Sequence, residues 1–333
     1  MQLADQKAPI FEAIILLALR QLESANTTAR SSSIERCLAI RRKVKAELPH
    51  ENSETAAIGE ALLALEEFFR LAPAQWSGFQ FLRLKDISPD LSLQHPTEPL
   101  KTIIRLQCRI VLATSILTRK RPPSYVKSHL ASINQYTQSP SIVLLDGCLF
   151  HLADCLLMNT DIEVVPRSAE IWLHLWTQCQ QWYEGRLPWA QPILDIRPLE
   201  ARQIDTETFS SFPIQIYTTT IALLSNAVYH ITSLLLLSRK PRLPAVSAQD
   251  RHLASSTWHA QKIAGIATRN NFKDQWDPIL IAGLLLVSGD MTNKAQQDTL
   301  LECFGKMSDA TGIRLDRETG ELRSHWAILR GGN

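Results

Sequence analysis

Apolar residues recur at helical spacing along almost the whole chain. Near the beginning they fall at Phe11, Ile14 and Leu22, and a similar set runs from Ile58 to Phe69. Spacings of three and four residues place apolar side chains on one face of a helix. The alternation that is typical of strands is nearly absent. The pattern therefore predicts an all-α protein.

Prolines and capping residues divide this pattern into separate helices. Pro9 suits the first turn of one helix, Ser33 can cap another, and Pro122 ends the helix that begins near Pro99. The resulting predicted helices cover residues 9–25, 33–47, 54–71, 100–120, 123–136, 140–159, 166–184, 206–238, 250–269, 277–290 and 293–308.

The helices and their loops predict one large irregular domain over residues 1–333. No low-complexity linker divides the chain, and the helices differ too much in length and pattern for a regular solenoid. The loop at 186–205 is rich in proline, so a seam between two subdomains would fall there.

The stretch from Thr208 to Ser238 contains no Asp, Glu, Lys or Arg. A helix without a charged face must be enclosed by protein or by lipid. Its polar residues, among them Asn226, Tyr229 and His230, would each need a hydrogen-bond partner in hydrocarbon, where a span wants about 20 predominantly apolar residues. We therefore expect a central buried helix near 214–238, and no membrane.

Composition and charge place the chain among ordinary globular proteins. It is 45% hydrophobic and 20% charged, and 35 basic residues nearly balance 33 acidic ones. Overall charge therefore provides no attraction to nucleic acid. Six cysteines in mostly apolar or helix-patterned sequence are typical of a reducing compartment, and Glu12 interrupts what would be a secretory signal. We expect an intracellular protein.

One group of residues has the composition of a zinc site. Cys148 and Cys155 flank His151 and Asp154, and thiolate with imidazole can bind zinc. No C-x-x-C pair accompanies them, and free cysteines in an apolar helix behave as small hydrophobic residues. The chain also lacks the common phosphate-binding, nucleophile-elbow and zinc-hydrolase motifs. We predict no enzyme, with no catalytic, cofactor-binding or metal residues and no cofactor.

Aromatic residues gather between Trp172 and Trp189. The spacing of Trp172 and Trp176 would stack the two rings on one helix face, and such clusters are typical of a core. The alternative is a helical enzyme or small-molecule-binding protein with an apolar pocket near Trp172–Trp189. His174 and His230 are interpreted as hydrogen-bonded structural residues.

Three basic clusters raise the question of nucleic-acid binding or nuclear import: Arg41–Lys45, Arg119–Arg121 and Arg239–Arg242. The last two follow predicted helices, where cations offset the helix dipole, and the first alternates with apolar residues. We interpret all three as solvated helix faces, although one exposed cluster suffices for an import signal.

Five segments of this chain, taken in order, resemble the fungal-specific transcription factor domain. That domain is the regulatory region that follows the binuclear zinc cluster of fungal transcription factors. The segments are Pro9–Leu22, Ala61–Glu67 with Trp76–Leu82, Trp182–Ile193, Tyr229–Leu237, and Trp276–Leu286 with Gln296–Leu301 and Thr311–Gly312.

This resemblance implies a nuclear, all-helical regulatory domain. Its partners would be proteins of the transcription machinery or a DNA-binding regulator, together with a small-molecule effector. The family's zinc cluster needs two C-x-x-C pairs and this sequence contains none. We therefore expect no direct DNA binding through a zinc cluster, in either a truncated gene product or a stand-alone regulator that acts through partners.

Overall fold

The computed structural model describes residues 8–25, 30–51, 53–78, 97–135, 137–158, 165–196, 211–241, 253–272 and 274–331. Within these ranges it has twelve α-helices and one two-stranded sheet, which confirms the all-α class. The helices are α1 (Ala8–Ala25), α2 (Arg30–Glu47), α3 (Ser53–Phe68), α4 (Glu98–Thr118), α5 (Tyr125–Gln135), α6 (Pro140–Leu157), α7 (Val165–Glu184), α8 (Thr220–Ser238), α9 (Ser256–Arg269), α10 (Pro278–Ser288), α11 (Lys294–Thr311) and α12 (Asp316–Gly331). The strands are β1 (Leu194–Ile196) and β2 (Ile214–Ile216), and short 3₁₀ turns occupy Leu48–His50, Pro73–Gly78 and Pro188–Ala190.

The chain divides into two compact units. The first unit contains Met1–Gln107 and Phe304–Glu321, and the second contains Cys108–Cys303 and Leu322–Asn333. Residues 186–196 of the predicted seam lie within the second unit, whereas 197–205 lie outside the described residues. The assignment of 1–333 to one domain and the seam at 186–205 stay predictions.

In the first unit, α1 packs against α2 and α3 through their apolar faces. Leu16, Val44 and Leu63 are buried there together. Arg41 of α2 is partly buried and donates from Nη1 to the buried Glu66 at 2.8 Å. The basic run at 41–45 is thus one charged helix face around a buried Val44, as its pattern predicts. The helix begins at Arg30, before the residue that was predicted to cap it.

In the second unit, α8 is the central helix. Helices α6, α7, α9 and α10 pack around it, and every residue from Ala222 to Ser233 is buried. The neighbouring helices therefore enclose all faces of this segment, which confirms the predicted central buried helix. By length and composition alone, Pro140–Leu157 and Thr220–Ser238 are both apolar enough to cross a membrane, with 44% and 72% of them buried inside the protein. The absence of a membrane therefore stays a prediction.

The prediction of one continuous helix over 206–238 is wrong in its N-terminal part. Ile214–Ile216 is a strand that pairs antiparallel with Leu194–Ile196, and α8 begins only at Thr220. The Thr219 side chain caps the helix by accepting a hydrogen bond from the Ala222 amide at 3.1 Å. The β-branched isoleucines favour extended backbone, and a charge-free stretch by itself does not distinguish helix from strand. Residues 206–210 lie outside the described residues.

Helix α12 was not predicted, because apolar residues are sparse along Asp316–Gly331. Its first turn carries Asp316 and Glu318, which suits the positive end of the helix dipole. Near its other end Trp326 is buried and donates from its indole nitrogen to the Ser288 carbonyl at 3.1 Å. One aromatic anchor therefore takes the place of a continuous apolar stripe.

Candidate functional site

The tryptophans of α7 pack against the core. Trp172 is buried and stacks on Trp176 with ring centroids 5.5 Å apart, as the spacing predicts. Its indole nitrogen donates to the Leu236 carbonyl of α8 at 2.7 Å. In the last turn of α7, Tyr183 stacks on Tyr229 with ring centroids 4.2 Å apart. This face of α7 is occupied by packing against α8.

A different face of α7 borders a surface cleft with a volume of about 510 Å³. Volumes of about 300–1,000 Å³ are usual for small-molecule sites. The cleft lies between α5, α6 and α7, and it combines charged and polar side chains with apolar ones: Lys127, Phe150, His151, Asp154, Leu157, Met158, Ile171, His174, Leu175 and Gln178.

The polar groups of the cleft are an ion pair, two histidines and a glutamine. Lys127 Nζ lies 2.5 Å from Asp154 Oδ1 and 4.6 Å from the centre of the Phe150 ring, so the two charges offset each other. Burial lowers the pKa of His151, which keeps this imidazole neutral near pH 7. His174 is exposed at the rim. An ion pair and two imidazoles among apolar walls make the cleft a candidate binding site.

A second constellation surrounds Arg186, directly after α7. The guanidinium carbon lies 3.5 Å from the centre of the Tyr183 ring, and Nε donates to the Tyr183 carbonyl at 2.6 Å. Nη1 donates to Oδ1 of Asn226 on α8. Asn226 Nδ2 in turn donates to the Ala190 carbonyl at 2.8 Å. With two neighbours that are described below, these residues form what we call the Arg186 cluster: Tyr183, Arg186, Tyr217, Asn226 and His230.

Two buried histidines of the second unit form a hydrogen-bonded pair. Nδ1 of His230 lies 2.9 Å from Nδ1 of His259, and Nε2 of His259 lies 2.8 Å from the Leu253 carbonyl oxygen. A carbonyl only accepts, so Nε2 of His259 carries a proton. The two Nδ1 atoms therefore share one hydrogen bond between the rings.

Two buried atoms of the Arg186 cluster lack hydrogen-bond partners within the described residues. They are Nε2 of His230 and the hydroxyl oxygen of Tyr217. His230 is 0% exposed and Tyr217 is 2% exposed, so bulk water does not replace the missing partners. Most buried polar atoms in native proteins have a partner, and such exceptions need an explanation.

Most polar side chains of the charge-free run are hydrogen-bonded inside the protein, as the sequence predicts. Tyr229 donates to Gln180 at 3.0 Å, and Thr232 donates to the Val228 carbonyl at 2.8 Å. Ser225 is different, because its hydroxyl is buried and has no partner among the described residues.

Three buried thiols surround α8. Cys148 and Cys155 of α6 point to the carbonyl oxygens of Ser225 and Thr232, at 3.4 and 3.9 Å. Burial raises the pKa of the Cys155 and Cys179 thiols to about 12, so neither is a thiolate at neutral pH. No group of three His, Cys, Asp or Glu residues suited to a metal ion occurs within the described ranges.

The other two basic clusters lie in different surroundings. Arg119–Arg121 directly follows α4 and all three side chains are exposed. Arg239 follows α8, and its Nη1 donates to the Cys155 carbonyl in the last turn of α6 at 2.6 Å. Arg242 lies outside the described residues.

We expect the protein to lose stability as the pH falls below about 6.5. Burial, followed by the nearby His259, Lys262 and Arg186, holds the pKa of His230 well below 6.5. The unfolded chain then takes up a proton that the folded chain refuses, so the free energy of unfolding decreases toward acid pH. The slope for one such group approaches about 1.4 kcal/mol per pH unit.

Urea midpoints at about pH 7.5 and about pH 5.5 measure this dependence. A His230→Gln variant should show a flatter dependence than the unsubstituted protein. His174→Gln is the matched control, because His174 is exposed and should leave the dependence unchanged. A midpoint that is equal or higher at the acid pH would contradict the expectation.

The sequence does not indicate that Arg186 and Tyr217 belong to one cluster. Neither residue belongs to a recognisable motif, and the cluster forms only when residues about 30–45 positions apart meet around α8. The available signal was indirect, since polar residues in a charge-free helix require partners from other elements.

No family model matches the chain, and neither a curated protein nor a solved structure matches it. The function of the chain is therefore inferred from its own residues.

Proposed function

We propose that this chain is a transcription-regulatory helical domain of the fungal type, acting through protein partners in the nucleus and without a DNA-binding zinc cluster of its own. The observation that carries the proposal is the order of the five segments that resemble the fungal family. Their all-helical character fits the fold, because that family domain is helical.

A packing contact joins two of the segments that carry the resemblance. The segments Trp182–Ile193 and Tyr229–Leu237 are about 40 residues apart in the sequence. In the second unit, Tyr183 and Trp182 both stack on Tyr229, at 4.2 and 5.8 Å between ring centroids. The two segments therefore pack together through aromatic rings, as expected of segments that belong to one core.

The cleft between α5, α6 and α7 favours a second function, small-molecule binding. It combines a usual volume, about 510 Å³, with apolar walls and a few polar groups. In a regulator, a molecule bound there would serve as the effector. In the alternative of a helical enzyme, the same cleft would hold the substrate.

The proposed regulatory function predicts that the chain alters transcription when it is tethered to a promoter. We expect a fusion to a heterologous DNA-binding domain to change expression of a reporter gene in a fungal host at least several-fold. The control is the DNA-binding domain alone at equal abundance. Unchanged reporter expression with a nuclear fusion would contradict the proposal.

A second experiment tests nuclear import of the chain. Replacing the exposed Arg119, Lys120 and Arg121 with alanine should reduce nuclear accumulation of the chain fused to a fluorescent protein. The matched control replaces the exposed Arg314 and Arg323, which do not form a cluster, and should leave accumulation unchanged.

A further inference from the structure

Helices α6 and α7 run in opposite directions along the central helix α8. Along α6, Cys148 contacts an early turn of α8 and Cys155 contacts a later turn. Along α7 the order is reversed, because Trp172 contacts the last turn of α8 and Gln180 contacts an earlier turn. In the cleft between α5, α6 and α7, the wall from α7 is therefore antiparallel to the wall from α6.

This arrangement gives the cleft an apolar end and a polar end. At the apolar end, the last cleft residues of α6 lie toward the first cleft residue of α7: Leu157, Met158 and Ile171. At the polar end, earlier residues of α6 lie toward α5 and the later part of α7, and the polar side chains there are Lys127, His151, Asp154 and Gln178. From His151 to Met158 the chain rises about 10 Å, at the helical rise of about 1.5 Å per residue.

The charges at the polar end are paired with each other. Among the described residues that line the cleft, Lys127 and Asp154 are the only lysine, arginine, aspartate or glutamate, and Lys127 Nζ lies 2.5 Å from Asp154 Oδ1. The His151 imidazole is neutral near pH 7, because burial lowers its pKa. An anionic ligand that approaches Lys127 meets the carboxylate of Asp154, and a cationic ligand that approaches Asp154 meets the ammonium group of Lys127. The pair therefore disfavours a ligand of either charge.

The apolar end leaves hydrocarbon in contact with water. Ile171 is 43% exposed, and Leu157 and Met158 are partly exposed. Single exposed apolar residues are common on protein surfaces, whereas these three share one end of a cleft with a volume of about 510 Å³. An apolar ligand group placed there removes this surface from water, which is favourable in proportion to the area.

We infer that the cleft binds an uncharged amphiphile, which is a small molecule with an aliphatic tail and a hydroxyl group at one end. The tail lies against the apolar end. The hydroxyl group reaches the polar end, where carboxylate, amide and imidazole groups supply hydrogen-bond acceptors and donors. The Lys127–Asp154 pair stays closed, so no charge loses its partner when the ligand binds.

This inference rests on the proposed small-molecule binding at the cleft and adds the class of the ligand. Binding is measured on the purified chain, without a transcription readout. Intact binding together with an inactive promoter-tethered fusion would reject the regulatory function alone. Absent binding together with an active fusion would reject the inferred ligand class and leave the regulatory function in place.

The test compares octanol, octanoate and octylamine, which share one tail and differ in the charge of the head at neutral pH. Ligand-observed NMR with the purified full chain measures Kd for each, in titrations up to about 1 mM. We expect octanol to bind at least about fivefold more tightly than either ion, which is the effect of one charge at contact distance in water. Equal or tighter binding of octanoate or octylamine overturns the inference, and so does the absence of octanol binding.

Two substitutions that open the ion pair should change the preferred head group. Asp154→Asn leaves Lys127 without its partner and should tighten octanoate binding at least about fivefold. Lys127→Met leaves the carboxylate of Asp154 and should tighten octylamine binding by a similar factor. A variant that fails to fold loses all three ligands, so it cannot imitate either gain. If neither variant gains affinity for the matching ion, the ion pair does not set the preference and the inference is overturned.

Two further substitutions on α7 show where the tail lies. Ile171→Asn should weaken octanol binding at least several-fold, because it removes apolar surface from the cleft. Leu173→Asn is the matched control, since Leu173 is similarly exposed on the same helix and does not line the cleft. It should bind octanol as the unsubstituted chain does. Equal octanol affinities of the two variants would show that the tail binds elsewhere and would overturn the inference.

Discussion

Replacing Gly265 with alanine is expected to destabilise the second unit by about 3 kcal/mol, the upper end of the usual cost of overpacking. Gly265 lies within α9, where the helix crosses the residue that precedes β2. A Cβ atom at this position would lie 2.3 Å from the carbonyl oxygen and 3.3 Å from the carbonyl carbon of Pro213. Both are backbone atoms, so no rotation of a side chain relieves the contact.

The backbone that follows Pro213 is also held in place by the residue that caps the C-terminal end of α9. Asn270, directly after this helix, donates from Nδ2 to the Gln215 carbonyl at 2.8 Å and accepts from the Tyr217 amide at 3.1 Å. Moving the strand away from an alanine at position 265 would stretch these two bonds. The substitution therefore has to strain either the helix or the sheet.

Gly305→Ala is the matched control for this prediction. Gly305 lies within α11, is exposed, and has no atom within 4 Å of an added Cβ. Alanine there should stabilise the protein by about 0.5–1 kcal/mol, because glycine is the poorer helix former. Urea unfolding at constant slope measures both changes. A midpoint for Gly265→Ala at or above that of the unsubstituted protein would show that the close approach is not rigid.

Most helices of the fold follow from local sequence, whereas α12 and the strands do not. Helix α8 is predicted from a charge-free run, since the run itself demands enclosure. The strand Ile214–Ile216 exists only because Leu194–Ile196 pairs with it, and the intervening residues give no sign of that pairing. Strand propensity depends on such distant partners, and a three-residue strand has too few residues to show alternation.

The candidate site shows the same limit. The sequence indicates that Asn226 and His230 need partners, because they lie in an apolar helix. It does not indicate that the partners are Arg186, Ala190 and His259. These contacts depend on how α7, α8 and α9 cross, which is set by packing of whole helix faces. The local sequence shows that these side chains need hydrogen-bond partners, but only the tertiary structure shows which residues those partners are.

Asn226→Leu is expected to cost about 2–4 kcal/mol, more than the gain in hydrophobicity suggests, because it leaves buried polar groups unpaired. The side chain of Asn226 joins three segments. Its Nδ2 donates to the Ala190 carbonyl at 2.8 Å and to the Ala222 carbonyl at 2.7 Å, and its Oδ1 accepts from Arg186. Leucine has a similar size but can replace none of these bonds.

The neighbouring Ser225 provides the sharpest control for Asn226→Leu, because both residues are fully buried on the same helix. The Ser225 hydroxyl has no partner within the described residues, so Ser225→Ala should leave stability unchanged or raise it by up to about 1 kcal/mol. If hydrogen bonding decides the outcome, the urea midpoint falls for Asn226→Leu and stays unchanged or rises for Ser225→Ala. If apolarity alone decides it, both variants stabilise the protein, and a stabilised Asn226→Leu would show that the bonds around Arg186 contribute nothing to the fold.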